Sequence, residues 1–552
     1  MKLKFFPILI AAFCCISCVT VDNTLGQSLI PTEQQYEIFR AEFPIDEIQL
    51  RLADSLSGYS SSRLTIGAIR DEDFGLTTRS CAFTLVPFFD TLDFGKSPEF
   101  SSFHVSIEKD TNSVASEKDA NILQSFNVYE LTKKLGRYDI NTKVDHGDKR
   151  ISTSTIIYNG KDSLSFDLCK EFGEKFLSIT QEDLSSMDKY TDKFPGIYIE
   201  SEAPLGMGGR INMFNLQLDV DLQYGYITGC YAKLAFNSEY NGTRKDTSFL
   251  FYFGADGFYK LDSLLTKRGE GSIQYLPQYG LNLTGHETSE KESFAGKKIL
   301  IEGGGGPKPV ISASLIKEKL YQEILSKGGN PRKTLINKAT IELPYEFDES
   351  SYTDLDRFPM MLNPTCRIET ENSVTFASLT DSSSETEDPG TIDYSHNCYS
   401  PDITYHAQRI LRTGDNEALG NYDVWLLIMA KEVQKSYTSN TSSSSDMSDY
   451  YNALMYANYY NNLYGGGYGY GGYGGYGGYG YGGYGGYGYD SYYNNYMTYQ
   501  MASMYANSSS GPSTFTTTAL DTHRFYKGVL LGPEAEGDRR PVLKVIYSIP
   551  KE

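Results

Sequence analysis

The chain is poor in the residue patterns that most often carry chemistry. It has 8 cysteines and 6 histidines in 552 residues, and no two cysteines after residue 18 stand in a CxxC spacing. A zinc site of that type and a complete disulfide framework are therefore not expected. No GxSxG, HExxH or EF-hand pattern occurs either. Lys and Arg number 50 against 70 Asp and Glu, which disfavours nucleic-acid binding, because neutralising phosphates needs clustered positive charge.

An apolar run is present at the N-terminus. Two lysines precede Phe5 to Phe13, a stretch too short to cross a bilayer as a helix but typical of a secretory signal. Small Ser17 stands before Cys18, as in a bacterial lipobox, which predicts cleavage after residue 17 and acylation of Cys18, for instance with palmitate. Several acyl chains supply stable anchoring, at about 0.8 kcal/mol per buried CH₂. The alternatives are a secreted protein cleaved near this point and an uncleaved anchor.

The cysteines that remain after the lipidated thiol are odd in number and widely spaced. Cys366 and Cys398 are the pair considered for a disulfide, because they flank one loop. His396 beside Cys398 is interpreted as a loop histidine next to a buried thiol, not as a metal ligand. We therefore predict no metal site and no cofactor. The five cysteines are Cys81, Cys169, Cys230, Cys366 and Cys398.

Strand patterns dominate from residue 36 onward. Leu216 to Tyr224 alternates strictly between apolar and polar residues, which predicts a strand with one buried face. Asn159-Gly160 and Asn241-Gly242 each stand between strand-like runs and predict two-residue hairpin turns, since that turn needs positive φ at both positions. The predicted fold is mainly β, with two related antiparallel β-sandwich (jelly-roll-like) units and few short helices.

Two helices are predicted in the second half. Ser314 is expected to cap a helix that ends at Gly328-Gly329. Ser400-Pro401-Asp402 is expected to open a second helix, and His406 on that helix is interpreted as a packing or surface residue. The predicted division of the chain is a signal peptide over 1–17, a tether over 18–35, a first β-sandwich over 36–190, a middle β region with a helix over 191–335, and a second β-sandwich over 336–552.

A low-complexity insertion over 437–514 interrupts the last of these regions. Tyr464 to Tyr489 contains only Gly and Tyr, and without aliphatic residues it is expected to be disordered. Strands are predicted on both sides, at Val424 to Ala430 and Val542 to Ile549, so the segment is an insertion and not a tail. Tyrosine rings stack on sugars and on one another, which favours an adhesive role; the alternative is an unselective solvated loop.

No catalytic residues are assigned. The Gly303 to Gly306 loop with Lys308 resembles a phosphate-binding loop, but no Lys-Ser or Lys-Thr pair opens a helix after it. Asp71 to Asp73 is interpreted as a turn between strands and not as a catalytic acid pair. A calcium site at Glu385, Glu387, Asp388 and Asp393 is weighed and set aside, because the ligand spacing is irregular.

The lipobox and several short motifs together resemble a family of Bacteroidota outer-membrane lipoproteins known only as a domain of unknown function. The resemblance spans nearly the whole mature chain and implies a lipid-anchored protein with a β-sandwich body; it supplies no catalytic residues. The tyrosine and glycine insertion is extra to the family pattern. The motifs are Gly67-Ala68-Ile69-Arg70-Asp71 with Phe74-Gly75, Phe194-Pro195-Gly196, Ile336-Asn337-Lys338-Ala339 and Pro541-Val542-Leu543-Lys544-Val545.

Four tripeptides match the short Asp-Ser/Thr-apolar pattern of bacterial O-glycosylation. They predict glycans on Ser55, Thr91, Ser163 and Ser263, which intact-mass measurement of the native protein would detect as added hexose.

These observations favour a non-enzymatic, lipid-anchored envelope protein that binds or scaffolds a protein partner at the outer membrane. The alternative is a glycan-binding or adhesive surface module that uses exposed tyrosines. A hydrolase is the third and least favoured hypothesis. The periplasmic and the cell-surface face of the outer membrane are both open.

Overall fold

A computed structural model describes most of the chain beyond its first 34 residues. The described residues are 35–551 apart from 54–55, 61, 89–90, 115–118, 137, 222–225, 255–271, 274–277, 288–291, 347–357, 370–373, 384–387, 415, 437–512, 522–523 and 525. Cys18, the predicted signal peptide and the Tyr464 to Tyr489 tract therefore lie outside the described part.

Antiparallel strands build nearly all of the described body. In the first half they are β1 Tyr36–Pro44, β2 Gln49–Leu52, β3 Tyr59–Ser60, β4 Arg63–Asp71, β5 Gly75–Pro87, β6 Lys96–Val114, β7 Gln124–Leu131, β8 His146–Arg150, β9 Ile156–Tyr158, β10 Leu164–Asp167, β11 Ile197–Ser201, β12 Gly208–Asn215, β13 Leu218–Asp221, β14 Tyr226–Gly229, β15 Tyr231–Tyr240 and β16 Thr243–Gly254. In the second half they are β17 Ser272–Ile273, β18 Gly280–His286, β19 Glu292–Phe294, β20 Lys298–Glu302, β21 Pro307–Ile311, β22 Leu335–Pro344, β23 Met361–Glu369, β24 Val374–Ser378, β25 Ile392–Asp393, β26 Cys398–Tyr399, β27 Val424–Ser436, β28 Ser513–Leu520, β29 Lys527–Leu531 and β30 Val542–Pro550.

Helices are few and short. Four α-helices and three 3₁₀ segments lie within the described ranges, and the mainly antiparallel β fold with few helices is confirmed. The helices are α1 Lys170–Phe176, α2 Met187–Lys193, α3 Ala313–Ser326 and α4 Thr404–Arg412, and the 3₁₀ segments are Asp183–Ser185, Thr380–Ser383 and Asn416–Tyr422.

The first unit is a sheet that closes on itself. Its strands follow the order β16, β15, β6, β12, β4 and β5, and the far end of β5 pairs again with β16, Phe251 opposite Pro87. Burying 36 largely aliphatic and aromatic side chains inside this curved sheet gives the unit a continuous core, which supplies most of its stability. Helices α1 and α2 add Phe172, Phe176 and Tyr190 to that core.

The second unit combines strands from both ends of the chain. A five-stranded sheet has the order β1, β30, β22, β26 and β25, and a second sheet has the order β19, β2, β21, β27, β23 and β24 with β28 on β27. Helices α3 and α4 contact each other and share one core with these sheets. The chain therefore enters this unit with β1 and β2, leaves it for the first unit, and returns at β19. The domain boundaries after residues 190 and 335 stay a prediction. β11, which follows residue 190, pairs with β5 and β7, which precede it.

One of the two predicted hairpins is confirmed. Asn241 and Gly242 have φ of 51° and 79° and join β15 to β16, with Tyr240 opposite Thr243. The other prediction was wrong about pairing. Gly160 does turn the chain with φ of 77°, but β9 pairs with β7 and β10 pairs with β6, because each strand completes a different part of the curved sheet.

Both predicted helices are present, but each begins at a different residue from the one predicted. Ser312, not Ser314, caps α3, and its hydroxyl accepts a hydrogen bond from the Ser314 N–H at 3.2 Å. The helix ends as predicted, with Gly328 at φ of 75°. The second predicted helix is present as α4, but it begins at Thr404 after Ile403, so the predicted opening at Ser400-Pro401-Asp402 lies too early. The Asp402 carboxylate accepts the Thr404 N–H at 2.9 Å.

The strand predicted over Leu216 to Tyr224 starts later than predicted. Leu216 lies between β12 and β13, and β13 begins at Leu218; both leucines are buried. Residues 222–225 lie outside the described part.

Candidate functional site

The predicted modification sites are only partly described. Cys18, Ser55 and Ser263 lie outside the described residues. Thr91 and Ser163 are both exposed, so an enzyme that adds sugar can reach them in the folded protein. Their glycosylation stays a prediction.

The Tyr and Gly insertion is attached to the body at the open end of a strand pair. β27 and β28 are antiparallel partners from Met429 opposite Leu520 to Ser436 opposite Ser513. The chain therefore leaves the body at Ser436 and returns at the residue that pairs with it. Residues 437–512 connect these two paired strands, and the strand after them begins at Ser513. The insertion bounds 437–514 stay a prediction.

The Gly303 to Gly306 loop surrounds a cation and not an anion. The buried Lys308 ammonium donates hydrogen bonds to the carbonyl oxygens of Glu302, of Gly304 at 3.0 Å and of Gly306 at 2.8 Å. A phosphate-binding loop instead presents N–H groups. The loop therefore differs from a phosphate-binding loop in the groups that it presents. Burial lowers the pKa of Lys308 to about 7, partly offset by the charge of Glu302.

The same loop is pressed against the first unit. Arg79, fully buried in β5, donates a hydrogen bond to the Gly303 carbonyl at 2.7 Å and another to the Thr284 hydroxyl. A Cβ on Gly304 would lie 2.0 Å from the Arg79 guanidinium, and a Cβ on Gly305 would lie 2.2 Å from the Asn141 side chain. Glycine is favoured at these two positions because a side chain there would meet a side chain of the first unit.

Further charges complete this junction. The Glu302 carboxylate is fully buried, and its Oε2 lies 3.7 Å from His286 Nδ1. On the second side, Lys527 contacts the Asp71 carboxylate at 2.9 Å and lies 4.3 Å from the centre of the Phe74 ring. The Asp71 to Phe74 segment is a turn between β4 and β5, as predicted. Glu302 and Lys527 are buried, whereas the Asp71 side chain is 26% exposed. Together these groups join the two units.

A cavity of about 200 Å³ lies beside α4 in the second unit. Its deep part contains buried Cys366, Leu379 and His406, and its open side contains exposed Tyr405 and Arg409. The strands β23 and β24 and the 3₁₀ segments before and after α4 bring these residues together. The other lining residues are Ile368, Ala377, Ser378, Thr380, Asp381, Asn421 and Tyr422.

Cys366 and His406 are close but are not arranged as a nucleophile and base. The Cys366 sulfur lies 3.7 Å from His406 Nε2, and that nitrogen lies 2.8 Å from the Tyr422 carbonyl oxygen, to which it donates its proton. Burial raises the pKa of the Cys366 thiol to about 12 and lowers the pKa of His406 to about 4. A neutral imidazole whose Nε2 is a donor cannot accept the thiol proton there, so the pair packs and does not form a thiolate.

The acidic residues weighed for calcium are turned toward their own backbone. Asp388 accepts the N–H groups of Gly390 at 2.9 Å and Thr391 at 3.1 Å, and Asp393 accepts those of Ser395 and His396. Glu385 and Glu387 lie outside the described residues. Cys366 and Cys398 are both free buried thiols.

Comparison with protein-family models, with curated proteins and with solved structures found no match. Within the described part of the chain, no three His, Cys, Asp or Glu side chains are arranged to hold a metal ion. No helix among the described residues combines the length and apolar character needed to cross a membrane.

Sequence reasoning missed the cavity and the charged junction. Cys366 and His406 are 40 positions apart, and Arg79 and Gly303 are 224 positions apart, so no local spacing links them. The one usable signal was the glycine run at Gly303 to Gly306, because consecutive glycines mark a close approach of backbone to another group.

Proposed function

We propose that this chain is a non-enzymatic, lipid-anchored envelope protein that binds or scaffolds a protein partner at the outer membrane. The observation that carries the proposal is the pairing of Ser436 with Ser513. This pairing brings the two ends of the 76-residue segment 437–512 together at one strand end of the body. The lipobox at Cys18 and the resemblance to Bacteroidota lipoproteins support the anchor and the compartment.

The composition of the segment 437–512 suits partner binding. Tyrosine supplies a large, rigid, amphipathic contact surface, and glycine lets the backbone adapt. The full chain is net acidic, with a formal charge of -20, which suits solubility at a crowded surface. The absence of catalysis is part of the proposal, and the inactive geometry of Cys366 and His406 supports it.

Affinity capture tests the partner. Native full-length protein and a variant in which the tyrosines of Tyr464 to Tyr489 are changed to serine are used as baits on detergent-solubilised outer membranes. We expect a reproducible protein to copurify with the native bait and to be lost from the variant. Capture of nothing reproducible by the native bait would refute the proposal, and a blank pull-down combined with binding on a glycan array would favour the glycan-binding alternative.

Labelling with palmitate tests the anchor separately. The Cys18→Ser variant is expected to lose the label and to move from the membrane to the soluble fraction, because no other thiol is presented after a signal sequence. The matched variant Cys15→Ser keeps the acceptor thiol and is expected to stay labelled. Equal labelling of native and Cys18→Ser protein would remove the lipid anchor from the proposal.

A further inference from the structure

The cavity beside α4 combines an apolar interior with a positioned cation at its open side. Ile368, Ala377 and Leu379 supply apolar wall, and the neutral His406 imidazole lies in the deep part. At the open side, the Arg409 guanidinium lies 4.8 Å from the centre of the Tyr422 ring. This cation–π contact holds the guanidinium beside the opening, and a guanidinium suits a planar anion such as a carboxylate.

Two further polar groups border the same opening. The Asn421 side chain is exposed, and the exposed Tyr405 side chain has 61% of its surface accessible. Amide and phenol groups are hydrogen-bond donors that a ligand oxygen at this opening can accept from. Asp381 is the acidic residue in the lining, and its oxygens accept the N–H groups of Tyr405 at 2.6 Å and His406 at 3.1 Å. Its carboxylate is therefore directed to the start of α4.

The size of the cavity limits the ligand. A volume of about 200 Å³ equals the share of about seven liquid waters and is smaller than the roughly 300 to 1,000 Å³ typical of drug-sized ligands. A compact apolar group suits the wall formed by Ile368, Ala377 and Leu379 better than a polyol does, because those side chains form no hydrogen bonds.

We infer that this cavity is a binding site for a small organic acid. The carboxylate of the acid contacts Arg409 and Asn421, and its compact apolar part packs against Ile368, Ala377 and Leu379. The site is independent of the proposed anchor and of the segment 437–512, since its lining residues all belong to the body.

Ligand-observed NMR of the full chain in detergent tests the site with benzoate, with neutral benzyl alcohol as the matched probe and N-acetylglucosamine as the saccharide probe. We expect benzoate to bind with a dissociation constant of about 1 mM or tighter and benzyl alcohol to bind at least about tenfold more weakly. Absence of benzoate binding, or tighter binding of either neutral probe, would overturn the inference.

Variants locate the site. Arg409→Met keeps the aliphatic stem over Tyr422 but removes the fork, so benzoate affinity should fall at least about tenfold. The control Arg412→Met removes an exposed arginine of the same helix that does not line the cavity, and it should leave affinity unchanged. Ala377→Leu fills the cavity and should abolish binding. Equal losses in both arginine variants, or full binding by Ala377→Leu, would place the ligand elsewhere. These outcomes do not depend on whether a protein partner exists.

Discussion

Gly304 allows the two units to pack closely because it has no side chain. It has a φ of 61°, and the Arg79 guanidinium occupies the space that a Cβ would need. A side chain at this position is therefore destabilising for two reasons: it strains the backbone at positive φ, and it displaces a buried guanidinium that donates hydrogen bonds to Gly303 and Thr284.

The Gly304→Ala variant is expected to lower the free energy of unfolding by about 2 to 4 kcal/mol. Gly328→Ala is the matched control, because Gly328 has a φ of 75° but nothing lies within 4 Å of the point that a Cβ would occupy there, so it should lose only about 1 kcal/mol. Urea unfolding measures both. Equal losses would show that strain, and not the contact with Arg79, explains the glycine.

His406 makes stability depend on pH. Burial, with a smaller contribution from Arg409, lowers its pKa to about 4, against the opposing hydrogen bond to the Tyr422 carbonyl. An unfolded histidine has a pKa near 6.5. Between these values the unfolded chain binds more protons, so the free energy of unfolding should fall as pH drops from about 6.5 to about 4, by up to about 3 kcal/mol.

The His406→Gln variant isolates this dependence. A glutamine amide can still donate to the Tyr422 carbonyl but does not titrate, so the variant should show a flatter loss of stability over the same pH range. His104→Gln is the control, because the His104 side chain is 40% exposed. Unfolding followed in urea at pH 7, 6, 5 and 4 compares the slopes; a native-like slope in His406→Gln would assign the acid sensitivity to other groups.

At the level of elements, the two Asn-Gly dipeptides show which features follow from neighbouring residues and which depend on the tertiary structure. Asn241-Gly242 joins strands that pair with each other along their whole length, so turn chemistry alone predicted the hairpin. Asn159-Gly160 also turns the chain, but β9 and β10 take different partners. Turn residues specify a reversal, whereas strand pairing also depends on which sheet edges remain free.

The strand pair β27 and β28 predicts that the body tolerates changes in the segment it carries. Deleting Tyr464 to Tyr489 shortens the connection between Ser436 and Ser513 from 76 to 50 residues, which changes the loop-closure free energy by only about 0.4 kcal/mol. The melting temperature should therefore stay within about 2 °C of the native value. Differential scanning calorimetry measures it.

A replacement of Tyr464 to Tyr489 by 26 residues of Gly and Ser is the matched control, since it keeps the length and removes the rings. It should melt with the native protein. A drop of more than about 5 °C in the deletion and in the replacement alike would show that the tyrosines pack on the body.

At the scale of the whole molecule, the charged junction couples two separate cores. Arg79 belongs to the first unit, and Glu302 and Asp521, whose charges act on it, belong to the second. Removing one member of a buried ionic group leaves the others uncompensated, at a cost of about 3 to 5 kcal/mol. The junction also includes Lys298, whose ammonium lies 2.6 Å from the Asp73 carboxylate of the first unit.

The Arg79→Met variant should therefore have a lower free energy of unfolding, and its two units should no longer unfold together. Trp425 is the only tryptophan of the chain and is buried in the second unit, so its fluorescence reports that unit, whereas far-UV circular dichroism reports both. In urea the two transitions should coincide for the native protein and separate in the variant.

Arg70→Met is the control. It removes a partly exposed ion pair with Glu287 inside the first unit, so it should lower the free energy of unfolding by less than about 1 kcal/mol and keep the transitions together. Coincident transitions in Arg79→Met would show that other contacts hold the units.

The sequence by itself determined the features that depend on neighbouring residues. The mainly β class, the Asn241-Gly242 turn, the end of α3 at Gly328 and the position of the Tyr and Gly insertion between strands all follow from propensity and spacing over a few positions. Only the tertiary structure decided the partners of β9 and β10, the cavity at Cys366 and His406, and the contact of Arg79 with the Gly303 to Gly306 loop. Their residues are far apart along the chain, and they meet because burial and strand pairing are optimised over the whole molecule, which no local pattern encodes.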